Sequence, residues 1–556
     1  MLRPRRALRW FLLAGAVCAC RPDFVESRFS GRPLRDVIAD LYAPSSYAGS
    51  RTTLKVGLGE SNSWELMCAG NLGIDLEDQP GRHFSVREGV AVHARLEEPT
   101  PGEGGVCPEL EITADVDTVD PKSVTAAFAG EGDQPRIEVT GVKVADDSAE
   151  PGAALDLRKS RLVLGPCRAP DEVERICRRF IDTSRIACTA DAGIKTPPGG
   201  TLVLSTAHGI EIARWAGPAR LHCEGSDTVY LLHPDWDGKR RGYRDGIVLT
   251  AGPGGQVLAV NEVGLENYVK GVVPSEISPE APDQALEAQA VVARTAALAR
   301  LGDRHADRPF DPCDDIHCQP YRGLANATSA TETAVDATRG LVLVHEGGLV
   351  DAAYTPDCGG ITEANEVAWP KQPPDPTFRP RLDAEGAGDA LPDFSVEANL
   401  LAFLLNPPAT FCARGAKPGE HRWTRSFTAE ELTALVSGDA GAQSIGRVRG
   451  LRIEGRGASG RATALVIEGA SASRRIEGEA AIRHALGDLP SSAFAVQTVP
   501  PAGSGDPAVF VLIGAGQGNG VGLCQNGAIG MALAKASLSD IVAHYYVGAH
   551  AARLLP

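Results

Sequence analysis

Residues 260–295 read VNEVGLENYVKGVVPSEISPEAPDQALEAQAVVART. The stretch begins at the end of an apolar strand, Val257–Val260, and runs into a helix for which Pro282 suits the first turn. Leu286, Ala290, Ala293, Ala297 and Leu301 recur at helical spacing, and Gly302 suits the stop. Glu276 lies just ahead of that helix, where a carboxylate is usually a capping or solvated residue.

Working outward, strand signals at Thr201–Leu204 and Ile247–Leu249 precede this core. A helix over 329–338, a strand Leu341–Val344 and its return through Leu349–Tyr354 follow it. Residues 370–392 are rich in Pro and Asp and read as a long loop. Phe427–Val436 reads as a helix, with Thr428 and Glu431 as a capping box. Strands Val448–Gly455, Ala462–Glu468 and Val509–Ile513 come next, then a glycine loop and helices over 528–546. Toward the N-terminus, Leu54, Val56 and Leu58 alternate at period two. Phe84–Val86, Leu110–Thr113, Ile137–Val139 and Leu162–Leu164 repeat the strand signal, with a short helix over 171–180. Ile194–Gly200 reads as a linker. The expected class is α+β: a β-rich, disulfide-containing N-terminal domain over 51–195, then a mixed domain over 200–552.

The chain has 556 residues, 43% apolar and 23% charged, with 62 Gly, 39 Pro and a net charge of −16. The apolar fraction excludes a wholly disordered chain, and the acidic balance gives no general attraction to nucleic acid. Past the N-terminus no apolar run reaches about twenty residues, which excludes a multispan membrane protein. The first twenty residues, MLRPRRALRWFLLAGAVCAC, have the basic and apolar regions of an export signal. Val17–Cys20 resembles a bacterial lipobox with Cys20 as the lipidated residue, so the membrane would be met only through a lipid anchor. Residues 21–50 read as a tether. Thirteen Cys fit an oxidising compartment. Setting aside Cys18 and Cys20 leaves an odd number, so at least one stays unpaired or does something else. Cys68, Cys107, Cys167, Cys177, Cys188 and Cys223 are candidates for pairing.

Four segments, in order, resemble the SpoIID/LytB (stage II sporulation protein D) family: 260–276 with Ala288–Thr295; Cys313–Tyr321; Tyr354–Gly360 with Thr362 and Trp369; and Gly516–Ala528 with His544–Tyr546. The resemblance covers about residues 200–552 and does not reach the N-terminal third. It implies a periplasmic lytic transglycosylase that cleaves the MurNAc–GlcNAc bond of peptidoglycan glycan and leaves 1,6-anhydro ends. The alternative is a non-catalytic glycan-binding enhancer of a cell-wall amidase, as the LytB branch suggests.

In the family pattern Glu276 is the catalytic acid. One carboxyl can protonate the leaving oxygen and then accept the proton of the sugar's own C6 hydroxyl. Such an acid needs a raised pKa, so an apolar cleft must outweigh the neighbouring helix N-terminus. Cys313, His317 and Cys318 crowd six residues, as tetrahedral zinc ligands or as a local disulfide. Three ligands would leave a fourth position for water, substrate or Cys358. Gln289, Arg294, Tyr354, Asn519 and Gln525 are candidate glycan contacts; Arg294 equally suits a structural salt bridge, Tyr354 core packing, and Gln525 a loop brace. Asn519 stands where the family has His, and cannot carry a proton at neutral pH. The glycine loop at 514–522 lacks dinucleotide-binding spacing, no Gly-x-Ser-x-Gly elbow occurs, and neither does a His-Glu-x-x-His segment.

Overall fold

The computed structural model describes residues 53–111, 136–145, 154–163, 169–184, 189–233 and 236–555. Within these, 78, 80, 141, 157–158, 237, 302–304, 306–307, 387–389, 438–444 and 501–508 are left out. The export signal, Cys20 and the tether lie outside the described residues, as do Cys167 and Cys188.

The α+β class is as expected, with a β-rich N-terminal region. Two six-stranded antiparallel sheets carry its main core. One runs, by position, Thr53–Ser61, Val257–Gly264, Gly246–Ala251, Ala219–Glu224, Asn71–Leu76, His83–Val86. The other runs Glu211–Ala216, Gly199–Thr206, Val92–Thr100, Trp64–Cys68, Thr228–Leu232, Arg241–Arg244. The period-two pattern read from sequence is the burial pattern: Leu54, Val56 and Leu58 join Trp64, Leu66, Leu72 and Ile74 in one core with Leu202, Leu221 and Leu249.

Strand pairing crosses the boundary expected near residue 200. Leu54 pairs with Val263, Leu221 with Ile74, Leu202 with Leu96 and Leu231 with Leu66. The Cys68–Cys223 disulfide spans it as well, and Cys177 is also disulfide-bonded. Residues 53–100 and 199–264 therefore build one set of sheets, and the first half of the chain is not a separate β-rich domain. Period two tells which residues lie in strands but says nothing about which strand lies beside which. Ile194–Gly200 is likewise no linker. The ribbon Val92–Thr100/Gly199–Thr206 continues outward as Glu103–Glu111/Thr189–Thr196. Only Pro197–Pro198 interrupts it, because neither can donate to a ladder. Gly200, at φ +145, sits at the register shift beside them.

The excursion at the ribbon's far end holds a four-stranded sheet and the helix Pro170–Ser184. From it, Lys143–Ala145 and Ala154–Asp156 reach back to extend the sheet of Leu341–His345 and the C-terminal strand His550–Leu554. The helix Asp283–Ala299 is central. Its Ala and Val side chains let it be buried on nearly every side, packed against Leu265–Glu276, Ser329–Ala337, Gln525–Leu533 and Leu538–Tyr545. A second core, around Leu432, Leu465, Ile467, Phe494 and Phe510, lies between the sheet Arg422–Thr428/Val509–Ala515/Phe494–Val499 and the sheet Val448–Arg456/Ala462–Gly469/Ser473–Glu477. Thr428 and Glu431 exchange the hydrogen bonds of the expected capping box. Among the described residues no helix is long and apolar enough to cross a membrane.

A fragment starting at residue 200 should not fold, because it exposes the partners of Leu54, Trp64 and Leu66. Circular dichroism and size exclusion of that fragment check this. A cooperative, monodisperse fragment would show instead that the sheets are separable.

Candidate active site and metal centre

Glu276 is the last residue of a helix, Leu265–Glu276. The sequence reading placed it before a helix and missed this one. Gly271, the β-branched Val269, Val272 and Val273, and Pro274 inside the last turn all argue locally against helix. Burial overrides them, since Tyr268, Val269, Val272 and Val273 are fully enclosed. The correction reverses an electrostatic expectation. A carboxylate at a helix C-terminus meets the negative end of the dipole, so the helix works against ionisation.

The carboxyl is part-buried and receives two donors. Tyr354 Oη donates to Glu276 Oε1 at 2.6 Å, and Gln525 also hydrogen-bonds it. Burial raises Glu276 to about 7, and the bonds from Tyr354 and Gln525 pull in the opposite direction. Tyr354 Oη also lies 3.1 Å from Gln319 Oε1. With Glu276 ionised, the phenol donates to it; with Glu276 protonated, the acid can donate to the phenol, whose hydrogen then turns to Gln319. Both protonation states thus find a hydrogen-bonded arrangement.

Each partner is delivered by a separate element. Tyr354–Thr355 pairs in parallel with Leu523–Cys524, so Tyr354 and Gln525 arrive from adjacent strands. Gln319 is held by Ala293 O and Tyr268 Oη at 3.2 and 3.3 Å. Gln289, fully buried, accepts from Gln525 Nε2 at 3.2 Å, and its own Nε2 finds no partner among the described residues. Gln525 therefore braces the acid. Tyr354, packed against the core with its hydroxyl on Glu276, positions the acid and offers no face for stacking.

Arg294 does not reach the site. It is fully buried and pairs bidentately with Glu266 at 3.0 and 2.7 Å, with Leu341 O at 3.0 Å. Of its two readings, the structural salt bridge is the observed one. Asn519 Oδ1 accepts from the Val521 amide at 2.9 Å and so closes its own loop. That loop is threaded by the buried Arg461, which donates to Gly518 O and Cys358 O. A side chain at Gly520, where φ is +82, would meet the Arg461 guanidinium.

Cys313, His317 and Cys318 converge as expected, and His305 joins them; all four donor atoms lie within 4.8 Å of one another. His305 Nε2 is 3.3 Å from Cys318 Sγ, and His317 Nδ1 is 3.8 and 3.6 Å from the two sulfurs. A zinc ion with Zn–S of about 2.3 Å and Zn–N of about 2.0–2.1 Å has tetrahedral edges of roughly 3.3–3.8 Å, which these spacings match. The donor set fits, and four protein ligands leave no open position, as in structural sites. Cys358 is not the fourth ligand and belongs to another cluster. His305 was missed because it stands eight residues before Cys313, outside any local motif spacing. The loop bears on the acid through Gln319, the residue after Cys318, which touches Tyr354.

Residues 253–345 match the family model SpoIID, described as Stage II sporulation protein, and residues 366–522 match a Domain of unknown function (DUF8618). An uncharacterized protein of Brachyspira hyodysenteriae is 29% identical over 292 residues, 52% of this chain and 67% of that one. The Amidase enhancer of Bacillus subtilis is 36% identical over 106 residues, 19% of this chain and 14% of its own length. Stage II sporulation protein D of Bacillus amyloliquefaciens is 26% identical over 304 residues, 52% of this chain and 74% of that protein.

His305→Ala should cost the purified protein one zinc equivalent relative to wild type, as Cys313→Ser should. Elemental analysis reads this directly. Unchanged zinc in both variants would remove the site.

Proposed function

We propose, for a chain that carries a SpoIID-family domain, that the site is a peptidoglycan lytic transglycosylase acting outside the cytoplasm. The observation that carries the reading is Glu276: a single part-buried carboxyl, raised to about 7 by burial, with no second carboxylate contributing to its shift among the described residues. A hydrolase that activates water by general-base catalysis needs two carboxyls flanking the bond; attack by the sugar's own hydroxyl needs one.

In this mechanism neutral Glu276 gives its proton to the glycosidic oxygen as the C1–O4 bond breaks. The resulting carboxylate, stabilised by Tyr354 and Gln525, takes the proton of the C6 hydroxyl as O6 bonds to C1. The product is a 1,6-anhydro end, no water is consumed, and Glu276 ends as it began. Tyr354 and Gln525 hold the carboxylate without abolishing its raised pKa. Gln289 Nε2, buried and without a partner, is a donor suited to an acetamido carbonyl of the substrate. Zinc held by His305, Cys313, His317 and Cys318 would supply rigidity to the loop that carries Gln319.

The second reading, a non-catalytic enhancer of a cell-wall amidase, is favoured by similarity to the Amidase enhancer and by Asn519, whose side chain closes its own loop. Both readings place peptidoglycan glycan strands as the ligand. A lipid anchor at Cys20 and a periplasmic location fit either.

Purified glycan strands, with and without stem peptides, separate the two. Wild type should release anhydro-ended fragments seen by mass analysis, and Glu276→Gln should lose roughly 10²–10⁴ of that rate while still binding. The reacting group is the protonated acid, so cleavage should fall as pH rises through about 7. Tyr354→Phe removes a bond that favours the carboxylate and should move this limb to higher pH. No cleavage by wild type, together with equal amidase stimulation by wild type and Glu276→Gln, would establish the enhancer instead.

A further inference from the structure

Behind the glycan site lies a second cluster, sealed from solvent. Cys358, Cys412, Cys524 and Asp383 each place one donor atom within 4.8 Å of the others, and all four are buried. They come from four segments distant in sequence: the loop after the Tyr354 strand, the 383 loop, the helix Phe411–Gly415, and the residue before Gln525. We propose that these residues form a second, structural metal site for a thiophilic divalent cation such as zinc.

Three observations carry this. The first is spacing: Cys358 Sγ is 3.6 Å from both Cys412 Sγ and Asp383 Oδ2, edges that suit tetrahedral zinc with Zn–S of about 2.3 Å and Zn–O of about 2.0–2.2 Å. The second is the surrounding hydrogen bonding. Cys524 Sγ accepts backbone amides from Cys358 at 3.1 Å and Gly527 at 3.3 Å, at the N-terminus of the helix Gln525–Leu533, an arrangement that favours thiolate. Asp383 Oδ1 accepts from Tyr545 at 2.8 Å and lies 3.1 Å from His544 Nε2, which leaves Oδ2 facing the sulfurs. Ligating carboxylates are held in this way by outer partners. The third is charge. Arg422, beside Cys412 and Cys358, has buried Nε and Nη2 groups without hydrogen-bond partners among the described residues. A metal bound by three thiolates and a carboxylate carries net negative charge, the counter-charge that a buried guanidinium lacks here.

The site also accounts for the odd cysteine number. Three thiols cannot all pair with one another, but three thiolates can share one cation. Because Cys358 and Cys524 flank the Tyr354 and Gln525 positions, the bound metal would fix both donors to Glu276. The metal assignment itself does not depend on the enzyme reading.

The test uses the full exported chain with the first site removed by His305→Ala and Cys313→Ser. That variant, loaded with zinc, should retain about one metal per chain. Loaded with cobalt(II), it should show thiolate-to-cobalt charge transfer of three-sulfur intensity. Alkylation followed by peptide mapping on unmutated protein needs no change in the core. Cys358, Cys412 and Cys524 should be protected when metal-loaded and should all react after a chelator strips the metal. Absence of metal from the first-site variant would overturn the proposal, as would a Cys358–Cys412 disulfide in mapped wild type.

Discussion

The carboxyl of Glu276 is held between two opposing demands, and much of the fold serves to balance them. Burial and the C-terminal end of its helix oppose ionisation. Tyr354 and Gln525 oppose full neutralisation. Neither donor is set by its own neighbours in sequence. Tyr354 depends on the parallel bridge to Leu523–Cys524 and on Gln319; Gln525 depends on the central helix through Gln289. The Arg294–Glu266 pair does its work one layer back. It ties the central helix to the helix that ends in Glu276, with a carbonyl of the Leu341–His345 strand as a third partner.

A raised acid also bears on folding. The folded state keeps the Glu276 proton more tightly than the unfolded chain does. The carboxyl therefore subtracts from stability as pH rises from its ordinary value of 4.5 toward about 7. The large core of small side chains around the central helix tolerates that cost.

What was legible in the sequence was local. Cys313, His317 and Cys318 announce a ligand loop because they crowd together, and Pro282 and the Ala/Leu spacing announce the central helix. What was hidden was long-range or overridden. His305 and Cys412 reach their clusters only through folding. Strand alternation gave the sheets' members but not the pairing of residues 53–100 with 199–264. The helix Leu265–Glu276 runs against its own propensities and stands on tertiary burial. Arg294 sits inside a family motif, yet its guanidinium points into the protein, so a motif match located an important residue without giving its role. The departure at Asn519 is absorbed within the loop, where Arg461 and the Val521 amide replace whatever a histidine would have done there.

The account stands or falls on the protonation of one side chain. A carbon-13 NMR titration of the glutamate carboxyls, with Glu276 assigned by its loss in Glu276→Gln, reads it directly. The account predicts a titration near 7 for Glu276 in the intact protein. A titration near the ordinary 4.5 would mean that the carboxyl is ionised at neutral pH, and that it is not the proton donor.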